Sequence, residues 1–286
     1  MSNALKTAML LGALTGLLVG LGYLIGGSGM AIIALIFAGV MNMAAYFFSD
    51  KLALSMAGAR EVTPEQEPRL HAIVEDVARQ AGIPKPRVYV VENESPNAFA
   101  TGRDPKHAVV AVTTGIRRIL DERELRAVIA HEVGHVKNRD ILTSSIAATL
   151  AGAVSYIQTM LMWGALLGGG RDREGGGNIA VVLIASIVGG IAATMLQLAL
   201  SRTREYQADK SGAEYIHDPI ALANALSKLE AGVQIQPMPQ TAGTQATSSL
   251  YIVHPFKGGL SGLFSTHPPT EERIRRLRQM AGYNPE

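Results

Sequence analysis

His131-Glu132-Val133-Gly134-His135 closes a run that begins at Asp121 and reads as one helix. Asp121 suits an N-cap with the acidic Glu124 three residues on, and Leu125, Val128 and Ile129 recur at helical spacing. Residues four apart in a helix share a face, about one turn from each other. His131 and His135 can therefore offer ring nitrogens to a single Zn2+ at about 2.0–2.1 Å. Glu132 lies one step round the helix, close to such a metal but out of line with the two rings. From there it can take a proton from water and pass it to a departing amine. The bland alternative is a pair of surface histidines on a solvated helix. A catalytic zinc needs three protein ligands and an open fourth position, so the pattern asks for a third donor.

A candidate follows the last long apolar run, in Ser201-Arg202-Thr203-Arg204-Glu205-Tyr206-Gln207-Ala208-Asp209. Glu205 and Asp209 are again four apart and share a helical face. Glu205 can complete a His₂Glu set, and Asp209 can accept the second ring N–H of a liganding histidine and fix its tautomer. The competing reading is a solvated, charged helix start beside a membrane.

The membrane enters through the distribution of charge. Apolar residues make up 48% of the 286 and charged ones only 17%. Residues 7–49, 141–170 and 175–201 contain no Asp, Glu, Lys or Arg. A spanning helix needs about 20 apolar residues, so the first run holds two helices broken near Gly26-Gly27-Ser28-Gly29 and the later runs hold one each. A cleaved signal peptide fits poorly, because a second apolar span follows at once. Core helices of a soluble domain would be shorter and polar on one face. Ser144, Ser145, Gln158 and Gln197 make the second pair more polar, as residues lining a cavity or a helix contact would. With an even number of crossings, the N-terminus, residues 51–140 and residues 202–286 share one side. Lys6, Lys51, Lys137, Arg139, Arg202 and Arg204 flank the spans there, against Arg171 and Arg173 opposite. The positive-inside rule then puts the polar segments in the cytoplasm.

The second hairpin also accounts for the long gap between the two half-motifs. His135 stands six residues before one apolar run and Glu205 four after the next, about 9 Å and 6 Å of helix. An antiparallel pair of spans would return Glu205 beside His135, just outside the bilayer.

Between Pro64 and Gly82 the chain reads as an amphipathic helix with Leu70, Ile73, Val74 and Val77 on one face. Residues 87–91 and 108–113 are short β-rich runs that predict a small sheet, and Asn97-Ala98-Phe99-Ala100 between them is either loop or edge strand. Residues 234–249, rich in Gln, Thr, Ser and Pro, read as a mobile surface loop. The net charge of +2 and the lack of any basic stripe with interleaved aromatics give no sign of nucleic-acid binding. The absence of cysteine excludes disulfides, Cys-ligated zinc and thiol catalysis.

With these residues in view, the chain resembles the M48 family of membrane metalloproteases. The resemblance takes in the N-terminal apolar pair, Asn97-Ala98-Phe99-Ala100, the HExxH helix, the second pair, Glu205 with Asp209, and His267-Pro268-Pro269. It implies a mainly α membrane protein with four transmembrane helices in two hairpins and a gluzincin-like α+β zinc protease domain containing a small β-sheet. The chain then divides into a hairpin (1–50), a first catalytic part (51–140), a second hairpin (141–201) and a second catalytic part (202–286). The resemblance further implies one Zn2+ per chain on His131, His135 and Glu205, with Glu132 as general base. Its expected substrates are membrane-associated polypeptides, in quality control of misfolded membrane proteins under stress, at a bacterial inner membrane. Residues 97–100 match a region beside the substrate cleft, where an extended peptide can pair with an edge strand. His267 is a turn residue on the bland reading. The resemblance implies instead that it stabilises the oxyanion of the tetrahedral intermediate.

Three other readings compete with this one. A transporter would carry ionisable residues inside its spans, and none is there. A silent zinc scaffold would not need Glu132. A prenyl-protein endopeptidase is the nearest alternative within the family, but relatives of that kind have more spans than four.

Overall fold

A computed structural model describes residues 3–150, 202–257 and 268–283. The second apolar pair beyond residue 150 and His267 lie outside the described residues, so the expected count of four spans is not settled by them.

The chain opens with α1 (Asn3–Ala57), two helical limbs joined at a kink where Gly26 and Gly27 leave helical geometry. Gly27 takes φ +66°, a left-handed value open to glycine at no steric cost, at the break expected from the Gly-Gly-Ser-Gly run. The limbs fold back on each other: Asn42 Nδ2 donates to Thr15 Oγ1 at 2.9 Å and Leu11 O at 3.4 Å. Leu10, Leu14 and Ala45 pack with Ile146 and Leu150 of the following helix α5 (Ile141–Leu150), and Thr7 Oγ1 meets Thr143 Oγ1 at 3.0 Å. Among the described residues one helix, Gly26–Ala57, is long and apolar enough to cross a membrane. Most of its large apolar side chains stand outward, with Ile36 65% and Val40 64% exposed.

A four-stranded sheet follows, built from β1 (Ala59–Glu61), β2 (Arg87–Val91), β3 (Ala98–Thr101) and β4 (Val109–Thr113). Its order is β1-β2-β4-β3, with β2 and β4 parallel and the outer pairs antiparallel. Residues 87–91 are thus a strand as the pattern predicts, the run expected at 108–113 forms one from Val109, and β3 is an edge. Helix α2 (Pro68–Ala81) buries Leu70, Ile73, Val74 and Val77, the face read from the sequence. It packs with α3 (Ile116–Ile119) and α4 (Glu122–Lys137) into one core. Beyond the undescribed stretch come α6 (Arg202–Ile216), α7 (Pro219–Ile235), α8 (Ala242–Thr247) and α9 (Thr270–Met280). The protein is mostly helical with a small mixed sheet.

Residues 234–249 differ from the loop expected of their composition. They begin with the end of α7 and contain α8, closed by a capping box in which Thr241 and Thr244 exchange side-chain and backbone bonds. Two threonines do the work usually assigned to Ser/Thr with Glu, and Ala246 and Thr247 are buried beneath them.

Candidate active site

Helix α4 begins on a full capping box: Glu124 N donates to Asp121 Oδ1 at 2.8 Å and Asp121 N to Glu124 Oε2 at 3.0 Å. That fixes the phase of the helix two turns before His131. His131 and Glu132 are fully buried and the His135 side chain is 16% exposed. Helix α6 lies against α4 at very close range. A Cβ on Gly212 would stand 2.7 Å from His131 N and 2.8 Å from Ala130 C, and one on Gly134 would stand 3.2 Å from Ala208 O. At Gly212 only a glycine permits this approach. It turns the face carrying Glu205, Ala208, Asp209 and Gly212 onto the two histidines.

The predicted donors meet there. His131 Nε2 and His135 Nε2 are 3.2 Å apart. Glu205 Oε2 is 3.6 Å from the first, and Glu205 Oε1 is 3.5 Å from the second. Bonds of 2.0–2.2 Å to a tetrahedral centre imply ligand–ligand edges of about 3.3–3.6 Å, close to these separations, although Glu205 reaches each ring through a different carboxylate oxygen. Two imidazoles and a carboxylate are also a zinc donor set. Among the described residues, this is the group of three able to hold a metal ion.

The surroundings favour positive charge at this point. Burial disfavours a charged His131, yet Asp209 and Glu205 outweigh it and lift its pKa to about 9. Asp209 Oδ1 is 2.9 Å from His131 Nδ1, which directs Nε2 toward Glu205. Burial would raise the pKa of Asp209, but Arg273 and His131 hold it down at about 2. Glu132 is pushed up from the ordinary carboxylate value by burial, against the two histidines. Its Oε1 is buried and makes no hydrogen bond among the described residues. A carboxylate oxygen so placed beside the triangle suits a group that receives a proton during reaction.

Two residues with a part in this arrangement escaped the sequence reading. Asp140 Oδ2 stands 3.3 Å from His135 Nδ1 and does for that ring what Asp209 does for the other. It is brought back by a sharp turn in which Arg139 takes φ +58° and Asp140 N donates to His135 O. Arg273, fully buried, forks onto Asp209 through Nε at 2.8 Å and Nη2 at 2.7 Å, and its Nη1 donates to Ile252 O at 2.8 Å. A signal existed: Arg273 shares the apolar face of α9 with Leu277, four residues on, and both are buried.

Ala98–Ala100 come to the side of α4 within edge strand β3, with Asn97 just before it. Part of that edge is held by the chain itself. Ile252 N donates to Ala98 O at 3.0 Å. Asn97, fully buried, grips Val253 through Nδ2 to O at 2.9 Å and Oδ1 from N at 3.3 Å. Phe99 stacks edge-on against Tyr251 with centroids 5.2 Å apart. Thr113 N donates to Asn97 O, so by antiparallel alternation the backbone of Ala100 points outward.

Residues 64–281 match peptidase family M48. Over 288 residues the chain is 53% identical to a protein named Protease HtpX homolog of Sulfurihydrogenibium sp. (strain YO3AOP1), spanning 98% of this chain and 97% of that one. It is also 53% identical over 277 residues to the Protease HtpX homolog of Pyrococcus furiosus, with 96% and 95% covered. Among solved structures, the crystal structure of S. mikatae Ste24p aligns at TM-score 0.51 with 17% identity over 96% of this chain. That is a likeness of fold, and this chain spans 64% of that protein's length.

Proposed function

The chain belongs to peptidase family M48, and from that premise we propose that it is a zinc endopeptidase embedded in a membrane, cleaving membrane-associated polypeptides in quality control of misfolded membrane proteins. The observation that carries this reading is the triangle of His131, His135 and Glu205, with all ligand atoms within 4.8 Å of one another, and the buried Glu132 beside it.

His131 Nε2, His135 Nε2 and the Glu205 carboxylate would hold one zinc per chain. When bound, the metal supplies Lewis acidity, polarising the scissile carbonyl and easing the ionisation of water. Glu132 takes the proton from attacking water and delivers it to the leaving amine, work for which its raised pKa brings it toward the operating pH. Asp209 and Asp140 orient the two rings through their Nδ1 atoms. An extended substrate runs along the outward backbone of β3 at Ala100, beside the stretch from Asn97 through Phe99 that the chain's own segment braces. His267 supplies a hydrogen bond to the developing oxyanion.

The membrane assignment rests on the apolar limb Gly26–Ala57 and the charge-free runs of the sequence. The chain divides as 1–50, 51–140, 141–201 and 202–286, its apolar pairs crossing a bacterial inner membrane and its polar parts facing the cytoplasm, as the distribution of Lys and Arg favours. The deciding experiment is Glu132→Gln in the full chain. Zinc content should stay near one per chain while cleavage of a membrane substrate falls by about 10²–10⁴-fold. Cleavage at the wild-type rate would remove Glu132 from the mechanism. Glu205→Ala should lose both zinc and activity, and retention of both would remove it as a ligand.

A further inference from the structure

Where the second limb of α1 meets the sheet there is an open cavity of about 510 Å³ whose lining is strongly cationic. Lys51, Lys85, Arg87, Arg103 and Lys106 all border it, joined by His107, against the single carboxylate of Asp50. Part of that charge is compensated: Lys85 pairs with Glu75 at 2.9 Å, Arg87 with Asp50 at 3.5 Å, and Arg103 with Asp104 at 3.6 Å. Lys51 and Lys106 have no carboxylate partner among the described residues. Two like-charged ammonium groups held around one concave surface favour an anion between them.

A second, apolar groove of about 470 Å³ runs along the same limb from Ile36 past Gly39, Val40, Met43 and Ala44 to Phe48. Phe48 lines both hollows, so they adjoin at that side chain. Gly39 and Ala44 put little side chain on the floor, and a Cβ on Gly39 would meet nothing within 4 Å. The groove runs twelve helical steps, from Ile36 to Phe48, a rise of about 18 Å, close to the roughly 15 Å of one leaflet's hydrocarbon.

The heights agree. Counted from the kink at Gly27, about 20 residues of helix fill the hydrocarbon core, which brings Phe47 and Phe48 to the headgroup level, where aromatic side chains collect. Lys51 lies just beyond, its Nζ 5.6 Å from the Phe48 ring, and the Arg103 guanidinium is 5.9 Å from the Phe47 ring. A merely solvated basic rim would satisfy the positive-inside rule, but it would need neither a hollow nor an apolar groove adjoining it.

We propose that these adjoining hollows form a site for one anionic phospholipid, with its phosphate among Lys51, Arg103 and Lys106 and an acyl chain passing Phe48 into the groove from Ile36 to Phe48. Basic pockets at the cytoplasmic ends of spans recognise such headgroups. The site has a direct line to the substrate edge. Arg103 and Lys106 sit in the connection between β3 and β4, and Thr101, the last residue of β3, is fastened to Ser145 of α5 at 2.6 Å. A lipid bound there pins the far end of the edge strand to the membrane surface. The inference rests on the membrane placement proposed above and not on the peptidase chemistry.

The test uses the full chain in detergent, with lipid retention followed by native mass spectrometry. Phosphatidylglycerol, phosphatidylcholine with the same acyl chains, and chain-free glycerol phosphate are added separately. The wild type should retain one phosphatidylglycerol per chain and show little retention of the other two. Lys51→Gln with Lys106→Gln should weaken phosphatidylglycerol roughly thirty-fold, the surface attraction of two lysines. Val40→Trp, which fills the groove, should weaken it without altering charge. Should the double variant fail to fold, judged by melting in lipid-free detergent, Val40→Trp alone decides. Equal retention of phosphatidylcholine, unchanged affinity in the variants, or glycerol phosphate bound as tightly as the lipid would each overturn the site, the last by making it a pocket for soluble anions. Alkaline carbonate extraction tests the placement separately: a chain released from membranes loses its membrane assignment, whereas an embedded chain without lipid preference loses only this site.

Discussion

Arg273 closes a two-pronged salt bridge on Asp209, through Nε at 2.8 Å and Nη2 at 2.7 Å, while the same carboxylate reaches His131 Nδ1 at 2.9 Å. Helix α9, far along the chain, thereby sets the orientation of a histidine on α4. Removing one partner of a buried pair leaves an uncompensated charge, at about 3–5 kcal/mol, and loss of a carboxylate behind a liganding histidine lowers metal affinity about 10–100-fold. Asp209→Asn should show the affinity loss in chelator competition. Arg273→Met should show it together with a large drop in melting temperature, and Arg273→Lys should recover little, because an ammonium cannot reproduce the fork. Wild-type zinc retention in both Asp209→Asn and Arg273→Met would mean that His131 is positioned by something else.

Asp140 stands in the same relation to His135, at the longer distance of 3.3 Å and beside a ring that is partly exposed. Asp140→Asn should therefore weaken zinc binding in the same assay, but less than Asp209→Asn. The reverse ranking would make Asp140 the principal support of the site.

What the sequence could show of this site, and what it could not, divides along the range of the interactions. His131 with His135 and Glu205 with Asp209 are pairs at helical spacing, so each half-site was legible as a pattern within one turn. The faces of α2 and α4 and the strands β2 and β4 followed from periodicity in the same way. The pairing of Arg273 with Asp209 crosses 64 residues and leaves no local period. Asp140 is near His135 in sequence, but its side chain turns back only because Arg139 takes a left-handed conformation, which few non-glycine residues announce. Helix α8 was hidden by its polar composition, which its capping threonines override.

The approach of α6 to α4 was equally invisible, since a glycine within a helix usually signals only lost propensity. Here it marks contact of two backbones. Gly212→Ala would set a methyl group 2.7 Å from His131 N and must push α6 outward, taking Glu205 and Asp209 away from the histidines. Overpacking of this kind is destabilising by about 1–3 kcal/mol, and peptidase activity should fall further than stability does. At Gly134 the nearest atom would be 3.2 Å away, so Gly134→Ala should be the milder change. Full activity with normal zinc content in Gly212→Ala would show that the helices can separate without disturbing the site.

Asn97 matches a region that the family resemblance places beside substrate, yet its amide is spent on Val253 at both ends and on its own neighbour, Ala98 N, at 3.2 Å. Truncating it strands buried backbone groups, which is destabilising by about 1–3 kcal/mol. Asn97→Ala should lower the melting temperature and reduce kcat and zinc retention only as far as folding suffers. A selective rise in KM at unchanged melting temperature would instead assign Asn97 to direct substrate contact. Steady-state kinetics run alongside thermal melts separate the two.

The last relationship links the site helix to its support through charge. Asp218 accepts the N–H of Ala221 at 3.0 Å as N-cap of α7 and pairs with Arg123 on the first turn of α4 through the guanidinium Nε and Nη2. The Arg123 hydrogen bond, with help from Ala221 N–H and against partial burial, holds the Asp218 carboxyl below its ordinary value. A carboxylate whose folded pKa is depressed contributes stability above its unfolded value, near 4, and that contribution disappears as the pH falls through the lower folded value. Asp218→Asn keeps a capping acceptor but removes the charge. Its melting temperature should lie below that of the wild type at neutral pH, and the gap should close as the pH is lowered from about 5 toward 3. Arg123 is largely exposed, so the charge itself is worth at most about 1 kcal/mol. Asp218→Ala, which also loses the cap, should cost about 1 kcal/mol more and keep that part of its deficit in acid. A gap that widened on acidification would reverse the sign of the coupling and place the stabilising charge elsewhere.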